Sequence, residues 1–274
     1  MSMQIGKLAL HLGGEVTGFD IRNATPSMVV QLKQAFLDHG VLVFRDQDIE
    51  DEDQISFARL FGAAETIVRE ESKPRLAPEI IELNDTGDPK TFTYTSQYWH
   101  TDGSFKNVPS YLTLLRAVEI SPEGGDTGFA NTCAGFAALP DARKRELRGL
   151  RVRHDIQHTR DRVKSLPPFP PHIKAAYPGA EHDLIRTIPE TGRELLYLGS
   201  HASEVVGMSY ADSQALLGEL LEWTTQPHFT YQHSWRPGDL VVWDNRGLLH
   251  RALPYDATRH RRVMRRAEVT GEAA

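Results

Sequence analysis

Apolar residues follow two spacings along the chain. Near the start they fall at helical intervals. Thr25 and Pro26 offer an N-cap followed by proline at the first helical position, Val29, Leu32 and Phe36 recur every three or four residues, and Gly40 follows as a stop. The unbroken apolar run Val41–Phe44 predicts a short buried strand. A second helix is expected from about Asp51 to Phe61, with Ile55, Ala58 and Phe61 as its buried stripe and Gly62 at its end. The pattern then turns mostly to strand, at Glu79–Leu83, Tyr111–Val118, Leu195–Leu198, His228–Trp235, Asp239–Trp243 and Arg262–Val269, with Pro237-Gly238 as a turn. A helix over about Tyr210–Trp223, capped by Ser209, interrupts this series. Many short strands decorated by helices predict a mainly β architecture, a barrel or jelly roll with helical padding. Strict strand–helix alternation is missing, which argues against a doubly wound parallel sheet.

One segment departs from both spacings. His154–Asp183 carries Pro167, Pro168, Pro170, Pro171 and Pro178 among charged residues and has little periodicity. A long loop inside a compact chain is usually a functional lid or a disordered excursion, and the lid is the reading preferred here. Residues 1–274 are thus expected to form a single domain with a lid or insert at about 154–183.

Composition narrows the function classes. Hydrophobic residues are 40% and charged residues 25% of the 274, and the net charge of −6 gives no reason to expect a nucleic-acid partner. The single cysteine, Cys133, excludes an internal disulfide and a cysteine-rich zinc site. Apolar runs fall far short of the roughly 18 residues that cross a bilayer. Met1–Leu12 holds one lysine and no long apolar stretch, so no secretory signal is read there. The expectation is a soluble, cytoplasmic protein with no membrane partner.

No phosphate-cradling loop, dinucleotide glycine fingerprint, nucleophile elbow or zinc-protease helix is present. His154 and His158 are spaced for one helical face, but no third ligand accompanies them and they read as surface or lid histidines. The strongest constellation is Tyr98-Trp99-His100-Thr101-Asp102-Gly103-Ser104-Phe105, with His250 far downstream. Residues i and i+2 of an extended chain share a face, so His100 and Asp102 can aim at one point. His250, soon after the strand at Leu240–Trp243, can supply a third ligand. Two histidines and one carboxylate with open positions are the donor set of a non-haem iron(II) oxygenase. A His-x-Asp triplet alone is equally a hydrogen-bonded loop pair. The run Arg259–Arg266 is either a solvated basic stretch or a strand with Arg262, Met264 and Arg266 on one face and Arg261, Val263 and Arg265 on the other. In the second case two arginines line the metal cavity, suited to bidentate capture of carboxylates. Gly124-Gly125-Asp126-Thr127 allows a tight turn and offers the Thr127 hydroxyl.

Together these residues resemble the iron(II)- and 2-oxoglutarate-dependent dioxygenases of the taurine dioxygenase and 2,4-dichlorophenoxyacetate dioxygenase family. The resemblance runs through Leu12–Gly18, Val43–Gln47, Phe57–Gly62, Trp99–Asp102, Gly124–Thr127, Trp243–Arg246, His250 and Arg262–Arg266. Leu198–Ser203 and Gly238–Arg246 look closer to the phenoxyacetate branch. The resemblance implies a double-stranded β-helix (jelly-roll, cupin-like) core, with iron held by His100, Asp102 and His250. It implies that Thr127 and Arg262 hold the distal carboxylate of 2-oxoglutarate and that Arg266 faces the substrate anion or helps to hold the co-substrate. Tyr98 and His201 are further pocket candidates. The reaction implied is oxidative decarboxylation of 2-oxoglutarate to succinate and carbon dioxide, using dioxygen, with hydroxylation of a small organic anion. A homo-oligomer is also compatible with the resemblance.

The sequence departs from the taurine enzymes after Phe61-Gly62, where Ala63–Glu70 lacks their histidine and tyrosine, and Ser96-Gln97-Tyr98 replaces an asparagine. An aryloxyalkanoate is therefore favoured over a sulfonate, an alkyl sulfate or a natural-product or amino-acid-like acid. Arg69 and Lys73 read as solvent-exposed rather than as a second basic contact. The arginine block sits one residue further from His250 than in close relatives, and placing the extra residue in the Pro254–His260 loop selects Arg262 rather than Arg261. Two other classes remain as rivals: a non-catalytic jelly-roll protein that binds an anion, and a zinc hydrolase built on the same three ligands.

Overall fold

The computed structural model describes residues 3–68, 76–84 and 95–271. In chain order the elements are strands β1 (Gln4–Lys7) and β2 (Gly14–Thr17), helix α1 (Pro26–His39), β3 (Val41–Phe44), α2 (Asp51–Arg59), β4 (Ile81–Asn84), β5 (Ser110–Glu119) and β6 (Thr127–Asn131). There follow α3 (Thr132–Ala137), α4 (Asp141–Leu147), β7 (Arg151–His154), α5 (Ile156–Asp161), α6 (Pro171–Ala176), β8 (Ala180–Asp183), β9 (Ile185–Ile188), β10 (Arg193–Leu196) and β11 (Ala202–Val205). The chain closes with α7 (Tyr210–Thr224), β12 (Thr230–His233), β13 (Leu240–Asp244), β14 (Leu248–Ala252) and β15 (Val263–Thr270).

Two sheets form the jelly-roll core. The larger has seven strands in the order β1-β2-β3-β13-β5-β15-β4, and the smaller has the order β12-β6-β14. Alternation along the strands assigns their faces. Val41 and Val43 of β3, Leu115 and Ala117 of β5, Val241 and Trp243 of β13 and Met264 of β15 meet Phe129 and Leu248 of the smaller sheet. The alternate residues Leu42, Phe44, Leu112, Leu114, Leu240, Val242, Ala267 and Val269 pack outward against Leu32 and Phe36 of α1 and Ile55 and Phe57 of α2. The central strands are buried on both faces, which is why Val41–Phe44 is continuously apolar.

The helical expectations hold with small changes of boundary. The Thr25 hydroxyl accepts from the Met28 amide and Gly40 ends α1 at φ +69°. Ser209 likewise caps α7, accepting from the Asp212 amide. Helix α2 stops at Arg59 rather than Phe61, and His228–Trp235 resolves into a 3-10 turn at Pro227–Phe229 followed by β12. Leu195–Leu198 is displaced toward Arg193–Leu196, and Glu79–Leu83 toward Ile81–Asn84.

The segment 154–183 is more ordered than its proline content predicts. Its ends are strands β7 and β8, paired antiparallel from Arg151↔Asp183 to His154↔Ala180. Between them Asp155 caps α5 and Pro171 occupies the first turn of α6. Proline there starts a helix rather than preventing one, because the first-turn amides have no intrahelical acceptor to lose. The reading of His154 and His158 as surface or lid histidines is corrected for His154. It is fully buried on β7, with its ring 5.2 Å from Tyr197 and 5.4 Å from His182, whereas His158 is half-buried on α5. The two do not share a helix. No helix among the described residues is long and apolar enough to cross a membrane.

Candidate active site

The site lies between the two sheets, and strand register decides which side chains reach it. On the smaller sheet His250 of β14 stands opposite Phe129 of β6, and Ala252 stands opposite Thr127. Phe129 faces the inter-sheet core, so Thr127 and His250 face it too. On the larger sheet Met264 of β15 faces the core, and with it Arg266 and Glu268, two and four residues on. Thr113 of β5 is the register partner of Glu268.

His100 joins this arrangement through a β-bridge to His250. The His100 Nδ1–H donates to the Tyr98 carbonyl at 2.8 Å, leaving Nε2 as the ring's lone-pair nitrogen. Its Nε2 lies 3.8 Å from Asp102 Oδ1, and His250 Nε2 lies 3.6 Å from Asp102 Oδ2. All three donor atoms fall within 4.8 Å of one another. Gly103, at φ +69°, turns the chain directly after Asp102, and a Cβ there would meet Ser110 Oγ at 2.4 Å.

Asp102 is held by several groups. The Thr113 hydroxyl donates to Oδ2 at 2.8 Å, and Arg266 Nη1 contacts Oδ1 at 3.2 Å. Asn245 braces the same corner: its Oδ1 accepts from the Asp102 amide at 3.2 Å and from Trp243 Nε1 at 3.0 Å, and its Nδ2 donates to Thr113 Oγ1 at 2.9 Å. Burial alone would raise the Asp102 pKa, but Arg266 chiefly, then His250 and His100, with the Thr113 hydroxyl, hold it below the usual carboxylate range. Burial pushes His100 down and His250 well down. Two neutral imidazoles beside an ionised carboxylate are the protonation state that divalent-metal coordination requires. The donor set therefore fits iron(II), and the fixed His100 tautomer points the same way.

The remaining sequence candidates are distributed around this centre. Thr127 Oγ1 accepts from Trp235 Nε1 at 3.0 Å. Arg262 is buried, donates from Nε to the Gly125 carbonyl at 3.1 Å, and lines a cavity of about 250 Å³ with Trp235, Gly124 and Gly125. Arg261 is exposed and pairs with Glu119 at 3.5 Å. Tyr98 lies with its ring 4.1 Å from the Arg162 guanidinium, and it meets the centre through the carbonyl that orients His100. The His201 ring is edge-on to His100 and to Phe105, with centroids at 5.9 and 5.1 Å, and burial lowers its pKa to about 3. Tyr177, following α6, packs edge-on against Phe105 at 5.1 Å and its hydroxyl accepts from the Val68 amide at 3.2 Å. Arg69 and Lys73 lie outside the described residues.

Sequence reasoning missed a charged group beside the centre. Arg266 Nη2 meets Glu268 Oε1 at 2.9 Å. The other Glu268 oxygen accepts from Ser110 Oγ at 2.6 Å and lies 3.5 Å from Lys106 Nζ, while Lys106 also pairs with Glu65. Burial and the Glu268 charge push Glu65 up. Burial would lower Lys106, but the carboxylates of Glu268 and Glu65 outweigh it and raise it. Alternation could have placed Glu268 on the Arg266 face. Nothing local in the sequence signals Lys106 or Glu65.

Comparison with known proteins agrees with this geometry. The family model described as taurine catabolism dioxygenase TauD, TfdA family matches residues 4–267. The chain belongs to the TauD/TfdA family. Among its relatives, the alpha-ketoglutarate-dependent 2,4-dichlorophenoxyacetate dioxygenase of Burkholderia sp. (strain RASC) is 36% identical over 94% of this chain and 91% of the relative. The (S)-phenoxypropionate/alpha-ketoglutarate-dioxygenase of Sphingobium herbicidovorans is 32% identical over 100% of this chain and 96% of that protein. The crystal structure of AAD-2 in complex with Mn(II) and N-oxalylglycine superimposes with a TM-score of 0.87 at 35% identity, covering 99% of this chain and 98% of the other. TauD/TfdA membership accounts for the jelly-roll core.

Proposed function

We propose that this protein is an iron(II)- and 2-oxoglutarate-dependent dioxygenase that hydroxylates a small organic anion, with aryloxyalkanoates as the favoured class. The observation that carries the reading is the convergence of His100, Asp102 and His250, with donor atoms within 4.8 Å, beside Arg266. Relatives whose names specify aryloxyalkanoate substrates and 2-oxoglutarate support it.

His100, Asp102 and His250 would hold the iron, and Thr127 and Arg262 the distal carboxylate of 2-oxoglutarate. When bound, iron and 2-oxoglutarate supply the oxidising chemistry, in which dioxygen is consumed, 2-oxoglutarate becomes succinate and carbon dioxide, and the substrate gains a hydroxyl. The chain orients and shields this chemistry. Tyr98 fixes the His100 tautomer through its carbonyl. Thr113 and Asn245 fix the Asp102 carboxylate and the backbone that bears it. Arg262, buried against Trp235, offers a desolvated guanidinium for bidentate carboxylate capture. Arg266 would take the substrate anion, and Phe105, His201 and Tyr177 form an aromatic wall suited to an aryl body. The segment 154–183, which contributes Tyr177, would act as the lid of a single catalytic domain.

The test is succinate release with iron(II) and ascorbate across aryloxyacetates, aryloxypropionates, taurine, alkyl sulfates and N-acyl amino acids. Strong stimulation by an aryloxyalkanoate, lost in Asp102→Ala, is expected. Stimulation by another class alone would overturn the substrate assignment. Turnover surviving in Asp102→Ala would overturn the assignment of ligands.

A further inference from the structure

Arg266 carries a counter-charge before any substrate arrives. Its two terminal nitrogens each meet a carboxylate, Asp102 at 3.2 Å and Glu268 at 2.9 Å. Glu268 is almost fully buried on the same inward row of β15. Its second oxygen is fixed by Ser110 at 2.6 Å and shares Lys106, which is itself engaged by Glu65. The connected group thus holds three carboxylates, Asp102, Glu268 and Glu65, against two cations, Arg266 and Lys106. An anion approaching Arg266 meets a guanidinium whose charge is already matched, in surroundings where water screens poorly.

We propose that Glu268 is a positioning residue that sets the affinity threshold at Arg266, a resident competitor for its anion face, whose strength is set by the Lys106–Glu65 pair. This rests on the reading of Arg266 as the substrate-anion contact. The physical consequence is a threshold of affinity that a ligand must clear with contacts made by its own body. A small carboxylate cannot offset the repulsion of Glu268 with contacts of its own, whereas an anion carrying an apolar or aryl body gains burial against the Phe105 and Tyr177 wall. Glu268 therefore keeps acetate-sized anions off Arg266 and leaves it for the larger substrate.

The experiment measures equilibrium binding of sodium phenoxyacetate and sodium acetate, by calorimetry, to protein loaded with manganese(II) and N-oxalylglycine. Glu268→Gln preserves the shape and removes the charge, and both anions are expected to bind about tenfold tighter. Lys106→Met removes the cation that restrains Glu268 and should weaken both by a similar factor. A purely scaffolding role would weaken binding in both variants, so the opposite directions are the signature. The gain in Glu268→Gln must vanish when Arg266→Ala is added. Unchanged or weaker binding in folded Glu268→Gln, or a gain that survives Arg266→Ala, overturns the proposal. If Glu268→Gln does not fold, unchanged or tighter binding in Lys106→Met overturns it. Wild-type indifference to phenoxyacetate, with an Arg266-dependent acetate gain in Glu268→Gln, would refute the aryloxyalkanoate assignment and leave this inference standing.

Discussion

His100 and His250 exchange both of their backbone hydrogen bonds, at 3.0 and 2.8 Å, as a directly opposed antiparallel pair. Opposed residues project side chains to the same face, which brings the two ring centroids to 4.1 Å. Two metal-ligand candidates from distant parts of the chain are thus positioned by backbone pairing rather than by side-chain contacts. The carboxylate, on a turn, needs separate support, which Thr113 and Asn245 supply.

Thr113→Val removes the hydroxyl that donates to Asp102 Oδ2. Loss of such an outer hydrogen bond is expected to lower metal affinity about 10–100-fold. Titration of the metal-free protein with iron(II) under anaerobic conditions measures this, and unaltered affinity would show that Asn245 alone suffices.

Asn245→Ala should cost more in folding than in chemistry. The buried Asn245 side chain serves Trp243, the Asp102 amide and Thr113 at once. Leaving these groups unpaired at about 1–3 kcal/mol each, with partial relaxation, predicts a loss of about 2–4 kcal/mol in urea unfolding. A loss below about 1 kcal/mol would mean that the corner repacks.

Gly103→Ala places a Cβ 2.4 Å from Ser110 Oγ and 2.7 Å from its amide, at φ +69°. Strain of about 1–3 kcal/mol is expected from the backbone alone. Because Asp102 is adjacent, the variant should lose metal affinity as well as melting temperature. A lower melting temperature with full metal affinity would show that the turn relaxes away from the site.

Asp239 predicts an acid limit to stability. Its buried carboxylate accepts from Arg45 at 2.7 Å and from the Arg236 amide at 2.8 Å, and lies 3.1 Å from His233 Nε2. Burial opposes ionisation, but these hydrogen bonds prevail and place the folded pKa below 3.8. A depressed carboxylate pKa contributes stability that is complete above the unfolded value and lost as pH falls through the folded one. Asp239→Asn should therefore cost about 3–5 kcal/mol at neutral pH, by leaving Arg45 with Glu15 alone, and should flatten the stability profile below about pH 4. Parallel denaturation curves at pH 7 and pH 3 check both, and an unchanged difference between the two pH values would remove Asp239 from the account.

The sequence pattern exposed elements whose residues face only one environment. Thr25, Gly40 and Ser209 mark helix ends because capping is local chemistry, and Val41–Phe44 is legible because both of its faces are apolar. Strands such as Arg151–His154 and Ala180–Asp183 were hidden because their pairing with each other, not their alternation, makes them strands. At the site, the two-residue spacing of His100 and Asp102 put both on one face, and His250 was offered by its place soon after a strand. Asn245 and Thr113 gave no such signal, since a buried amide or hydroxyl looks like any other polar residue until register sets it beside its partner. Lys106, Glu65 and Glu268 stayed unseen for a related reason: charges are expected at the surface, and here they satisfy one another largely out of solvent.

The pairing of β7 with β8 has a consequence for how this scaffold can diverge. Departure and return of the 154–183 excursion are clamped side by side, and His182 on β8 donates to the carbonyls of Ser104 and Lys106 just beyond Asp102. The excursion is anchored at its root like a cassette in a fixed socket. Doubling its length costs only about 0.6 kcal/mol in chain closure, and the histidines on the bridged strands need not move. If the segment acts as the proposed lid, exchanging what lies between the clamps would change which substrates are admitted and leave the metal-ligand candidates in place.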